Sequence, residues 1–156
     1  MNNEDIRSLI TEFIELMEKG RETPLEQERE LIRLLDALAY AIHFVHYTEQ
    51  QDEEFKYPEK KQYESDREVV EQRFPDYGYY NIPTDMLTNL GSSGTIVGDA
   101  VDALADIFGE LKEVLWRWDV NGEDDALGYF SDFYYFHWQN HLRGLQSYLM
   151  ARMKAQ

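Results

Sequence analysis

Four histidines are the side chains of this sequence best suited to chemistry, and they come as two pairs. His43 and His46 stand three apart, His137 and His141 four apart. On a helix either spacing puts both imidazoles on one side. Two facing helices so equipped offer up to four nitrogen ligands, a set that suits zinc, nickel or iron. The spacings contain neither HExxH nor the Glu-x-x-His of di-iron bundles. The competing reading is packing. Residues 126–149, "ALGYFSDFYYFHWQNHLRGLQSYL", hold eight aromatic rings besides His137 and His141. Leu127, Tyr134, Trp138, Leu142, Leu145 and Leu149 make one stripe, and Phe130, Phe133, His137 and Tyr148 a neighbouring one. A helix apolar over most of its circumference is central in its domain, so core packing ranks ahead of a ligand box. Gly144 offers a place for another helix to approach closely.

A second set is acidic. Asp99, Asp102, Asp106, Glu110 and Glu113 recur every three or four residues. They lie opposite the apolar seam of their helix, so a solvated face is the first expectation. The functional expectation is a docking strip for a basic protein, or a divalent-cation site at Asp99, Asp102 and Asp106. Other motifs are incomplete. "LGSSGT" lacks the lysine of a P-loop and has no strand before it, and it is not a G-x-S-x-G elbow. It reads as a linker. "RFPDYGYYNIP", residues 73–83, sets four aromatics beside two prolines and is expected to fold back onto the domain.

Helical periodicity supplies the elements that would carry these residues. Ile6, Leu9, Ile10, Phe13 and Met17 form one stripe, ended by Gly20. Thr23, Pro24 and Glu26 predict a capping box with proline at the first helical position. The helix that follows presents Leu31, Leu35, Leu38, Ile42 and Val45, and fades near Gln50 and Gln51. Residues 52–96 are rich in loops, with one brief helix started by Ser65 and Glu68 and stopped before Pro75. A third long helix is predicted from Val97 to Trp118, with Val97, Val101, Leu104, Phe108, Leu111, Leu115 and Trp118 as its seam. Glu123, Asp124 and Asp125 suit the start of the last helix, where the dipole favours acids. No segment alternates with period two. The expected fold is all-α, one domain over 1–156, an antiparallel bundle of about four long helices and one or two short ones.

The totals exclude several functions. There is no cysteine, hence no disulfide framework, thiolate nucleophile or cysteine zinc site. Acids outnumber bases 31 to 15, a formal charge of −16, which would repel a nucleic-acid backbone. No apolar run reaches the roughly 20 residues of a membrane span. The start, "MNNEDIRS", lacks the features of a signal peptide, and a cytoplasmic location is expected.

Two resemblances add to this reading. "HWQNHLRGLQ" resembles the HxxxHRGQ stretch of DinB-like four-helix metalloproteins, although Leu142 here separates His141 from Arg143. It implies His137 and His141 as ligands, joined by His43 or His46. Over a longer span the chain resembles the bacterial domain of unknown function 5063 family. The likeness runs from "GDAVDALADIFGELKEVLWRW" through the aromatic helix. It rests on Leu104, Ala105, Asp106 and Ile107, on Trp138, on Arg143 to Leu145, and on "FPDYGYYN". That resemblance implies an all-helical bacterial protein with no established activity or cofactor, in which positions 137 and 141 need not be histidine. The function expected from all this is a non-enzymatic interaction or regulatory protein, immunity-type included, that meets a basic partner. The alternative is a metal-binding protein or metal-dependent enzyme using the histidine pairs.

Overall fold

A computed structural model describes residues 1–49, 54–60 and 62–156. The chain is mostly helical, with one small sheet. The first helix, α1 (Asn3–Lys19), starts at Asn2, whose side chain accepts from the Asp5 amide while Asp5 accepts from the Asn2 amide. Its predicted stripe is buried, together with Leu16. Helix α2 (Pro24–Ala41) starts on the predicted capping box of Thr23 and Glu26. It then tightens into a 3-10 turn, Ile42–Phe44, and ends there, short of the expected point. Gln50 and Gln51 lie outside the described residues.

Helix α3 (Tyr63–Arg73) begins two residues before the predicted cap. The Ser65 hydroxyl donates to the Gln62 side chain and caps nothing. The earlier start adds Tyr63 to the face that meets the next long helix. Tyr63 and Arg67, four apart, both grip Asp102 there.

The segment expected to be loop contains two strands. β1 (Tyr79–Pro83) pairs antiparallel with β2 (Thr95–Asp99), with Tyr79 opposite Asp99 and Pro83 opposite Thr95. "GSSG" therefore belongs to the connection inside a hairpin. At the start of that connection Asp85 accepts from the amides of Leu87 and Thr88. The hairpin is fixed to the domain by Tyr80, whose ring approaches Tyr148 at 5.2 Å. A side chain at Gly144 would meet the Tyr80 ring, so Gly144 admits an aromatic side chain of the hairpin, where the sequence suggested another helix. Of the aromatic loop before β1, Phe74 and Tyr77 fold back and are buried, while Tyr79 stays exposed.

Val97, expected in the third long helix, is an exposed strand residue. Helix α4 (Ala100–Val120) starts instead at Asp99, whose carboxylate accepts from the amides of Val101 and Asp102. That accounts for the boundary: an aspartate here satisfies helix amides that would otherwise lack partners. Helix α4 is the centre of the domain and packs on α1, on α3 and on the final rod.

The rod comprises α5 (Glu123–Phe133), a π-turn (Tyr134–Trp138) and α6 (Gln139–Ala155). Its buried stripe is Leu127, Phe130, Tyr134, Trp138, Leu142, Leu145 and Leu149. From Phe130 to Leu142 the spacing is four, three times in succession. Three α-turns hold only about 10.8 residues. The stripe thus carries about one residue too many for an α-helix, and a single π-turn is the form in which a helix absorbs one.

Candidate metal centre

The acidic strip of α4 is engaged within the chain, with Glu110 buried and Asp102 still 44% exposed. The sequence reading put Asp99, Asp102, Asp106, Glu110 and Glu113 on an outer face, open to a basic partner. Because α4 is covered by α3 and by the rod, each of the five meets a partner within the chain. Asp99 caps its helix and pairs with Arg67 at 3.3 Å. Asp102 is held by Arg67 and Tyr63. The Tyr63 hydroxyl is pushed up to about 12, first by burial and then by its bond to Asp102. Glu113 accepts from Arg117 Nε and Nη2 at 3.0 and 2.9 Å. Arg117 also reaches both oxygens of Asp125, at 3.2 and 3.1 Å. Glu110 is buried and accepts from the Tyr129 hydroxyl at 2.5 Å. Burial, and next that bond to Glu110, hold the Tyr129 hydroxyl well above the usual tyrosine range.

Asp106 is different, because the groups beside it are imidazoles. His141 Nε2 lies 3.2 Å from Asp106 Oδ2, and His137 Nε2 lies 3.9 Å from the same atom. The two rings stand edge to face with centroids 5.1 Å apart. Each of the three residues offers one ligand atom, and the three atoms lie within 4.8 Å of one another. Nitrogen and oxygen ligands bound at about 2.1 Å in a tetrahedron stand roughly 3.4 Å apart. Shifts of about an ångström would therefore bring these three atoms onto one ion.

The elements explain the convergence. Asp106 projects from the middle of α4, His137 from the π-turn and His141 from the first turn of α6. Behind His137, its Nδ1 faces Glu110 Oε1 at 3.1 Å. A carboxylate in this place accepts from an Nδ1–H, the tautomer that frees Nε2 as a metal donor. A histidine ligand is commonly fixed by this kind of outer carboxylate. Side-chain exposures of 27% for Asp106, 31% for His141 and 42% for His137 leave the group reachable from solvent.

The donor set selects the ion. Two imidazoles with one carboxylate suit zinc or divalent iron, whereas magnesium and calcium prefer oxygen throughout. The cation site suggested at Asp99, Asp102 and Asp106 does not form, because two of those carboxylates are engaged elsewhere; only Asp106 joins a group fit for a metal. His43 and His46 sit exposed on and just after the 3-10 turn and belong to no such group among the described residues. The sequence reading linked Asp106 only with other acids and did not give Glu110 a role beside a histidine. The legible signal for both was the shared four-residue step, Asp106 to Glu110 on one helix and His137 to His141 on the other. The described helices include none long and apolar enough to cross a membrane. Compared with protein-family models, curated proteins and solved structures, the chain matches none.

Proposed function

We propose that this protein binds a divalent transition metal of the zinc or iron class, held by Asp106, His137 and His141. The observation that carries the reading is the meeting of two imidazole nitrogens on one carboxylate oxygen, backed by the buried Glu110. A protonated imidazole has no lone pair to give a metal, so metal uptake weakens as pH falls.

The test is equilibrium dialysis of untagged protein against zinc and cobalt(II). One equivalent is expected to bind. The double variant His137→Ala, His141→Ala should lose at least about 100-fold in affinity, a loss of about 2.7 kcal/mol. The double variant His43→Ala, His46→Ala should bind as the parent does. Equal affinity in all three proteins would overturn the assignment. A second reading is an interaction protein for a basic partner. It draws support from the net charge and from Met86, Leu87, Leu90 and Ile96, which stand exposed on the hairpin and its loop. A metal-free protein that retains a partner at low ionic strength would put that reading first.

A further inference from the structure

If a metal sits on Asp106, His137 and His141, its three protein ligands leave it incomplete. Structural zinc sites close with four protein ligands; three leave a position for water or substrate. Among the described residues no fourth histidine, aspartate or glutamate joins the group.

The open side has a definite surrounding. Glu110 and the buried rod stand behind His137, whereas Asp106 and His141 form part of the wall of a cleft of about 560 Å³. That volume falls within the range of small-molecule sites. The hairpin lines the cleft through Tyr80 and Ile82 on its inner face, with Val97 at its margin, and Ala103 adds an apolar patch from α4. The Tyr80 ring is fixed in place. It lies against Gly98 on its own sheet and Gly144 on α6, and at either position an added methyl group would collide with it.

The charges narrow the occupant. Asp99 and Asp102 also line the cleft, but Arg67 holds both and Tyr63 donates to the second. A cationic ligand therefore finds no unengaged carboxylate there. An anion would meet two carboxylates beside the ion. With a divalent metal in place, its two positive charges and that of Arg67 balance Asp99, Asp102 and Asp106.

We infer that this cleft is the ligand pocket of the metal centre, and that it takes an uncharged nitrogen- or oxygen-donor molecule with an apolar or aromatic body. The donor atom fills the open coordination position and the body lies along Tyr80 and Ile82, which share the inner face of the hairpin. This inference rests on the metal reading above.

Cobalt(II) is the probe, because its visible bands report coordination. The full-length protein loaded with cobalt(II) would be titrated with imidazole, benzimidazole and azide. Benzimidazole should shift the bands at the lowest concentration, imidazole next, and azide at least tenfold less readily than imidazole. Ile82→Ala, which removes apolar wall from the inner face of the hairpin, should weaken benzimidazole at least threefold and leave cobalt affinity within twofold. Cobalt that binds but whose spectrum no ligand moves would make the centre closed and overturn this inference alone. Tighter azide, or indifference to Ile82→Ala, would overturn it too. Failure to bind cobalt at all would remove the metal reading and this inference together.

Discussion

Two clusters on one face of α4 use the same acids differently. At the C-terminal end, Glu113 and Asp125 close around Arg117, with side-chain exposures of 9%, 13% and 10%. The guanidinium also lies over the Tyr129 ring, 4.3 Å from its centroid. One turn beyond Glu110 in the other direction, Asp106 faces His137 and His141. A guanidinium is permanently charged and cannot leave, so the first cluster is a fixed ion pair. An imidazole can give up its proton and offer a lone pair, so the second cluster can exchange that proton for a metal. Glu110 and Tyr129 join the two, since the Tyr129 hydroxyl contacts Glu110 at 2.5 Å and Glu113 at 2.9 Å. A periodic acidic stripe thus has no single role; the residues opposite it divide it.

The division can be broken at its fixed end first. Arg117→Met should destabilise the metal-free protein by about 3 kcal/mol, because two nearly buried carboxylates lose their cation. Urea unfolding would measure it. A loss below about 1 kcal/mol would mean that solvent already screens this cluster.

A smaller effect belongs to the joint between the clusters. Glu110→Gln keeps an acceptor for His137 Nδ1–H but removes its charge. Metal affinity is expected to fall about 10- to 100-fold, as for other outer-shell partners of histidine ligands. Calorimetric titration with zinc would read it. An unchanged affinity would reduce Glu110 to a packing residue.

The smallest effect is expected of Tyr129→Phe, about 1 kcal/mol for a lost hydroxyl bond, and it carries a pH signature. The hydroxyl is held above its ordinary value of 10.0 by burial first and by Glu110 second. Its contribution to stability is therefore fully present below pH 10 and is lost as pH rises through the raised folded value. In an ultraviolet titration the native protein, with eleven tyrosines in all, should ionise as many below pH 11 as native Tyr129→Phe does. One additional ionisation in the parent would contradict the geometry.

The parts of this architecture visible in the sequence are those set by local chemistry. Thr23, Pro24 and Glu26 mark a helix start because their cap is complete within four residues. The stripe from Ile6 to Met17 shows its buried face by spacing alone. The hairpin was not legible, because only Tyr80 and Ile82 alternate inward in β1 and a proline follows them. Val97 carried the four-residue step of the α4 seam by coincidence, and Asp99 as a cap decided the boundary. For the site, the spacing of His137 and His141 proposed two ligands. It could not supply the third, since Asp106 stands 31 residues earlier, on a helix whose charged face looks like an outer one until Arg67, Arg117 and the rod are set against it.

The π-turn makes the last rod a joint between two independently aimed segments. Each residue of an α-helix turns the chain by about 100°. Forcing regular α-helical turns on 134–138 with every residue kept would remove the widening and swing everything C-terminal to it around the axis by about that angle. His141 would leave Asp106, Gly144 would no longer receive Tyr80, and Arg152 would part from Glu28, which it now meets at 2.7 Å. One inserted residue therefore sets the phase of the metal ligand, the hairpin seat and the C-terminal anchor together. A change that restored a regular helix would uncouple all three from the half of the rod that holds Arg117 in place.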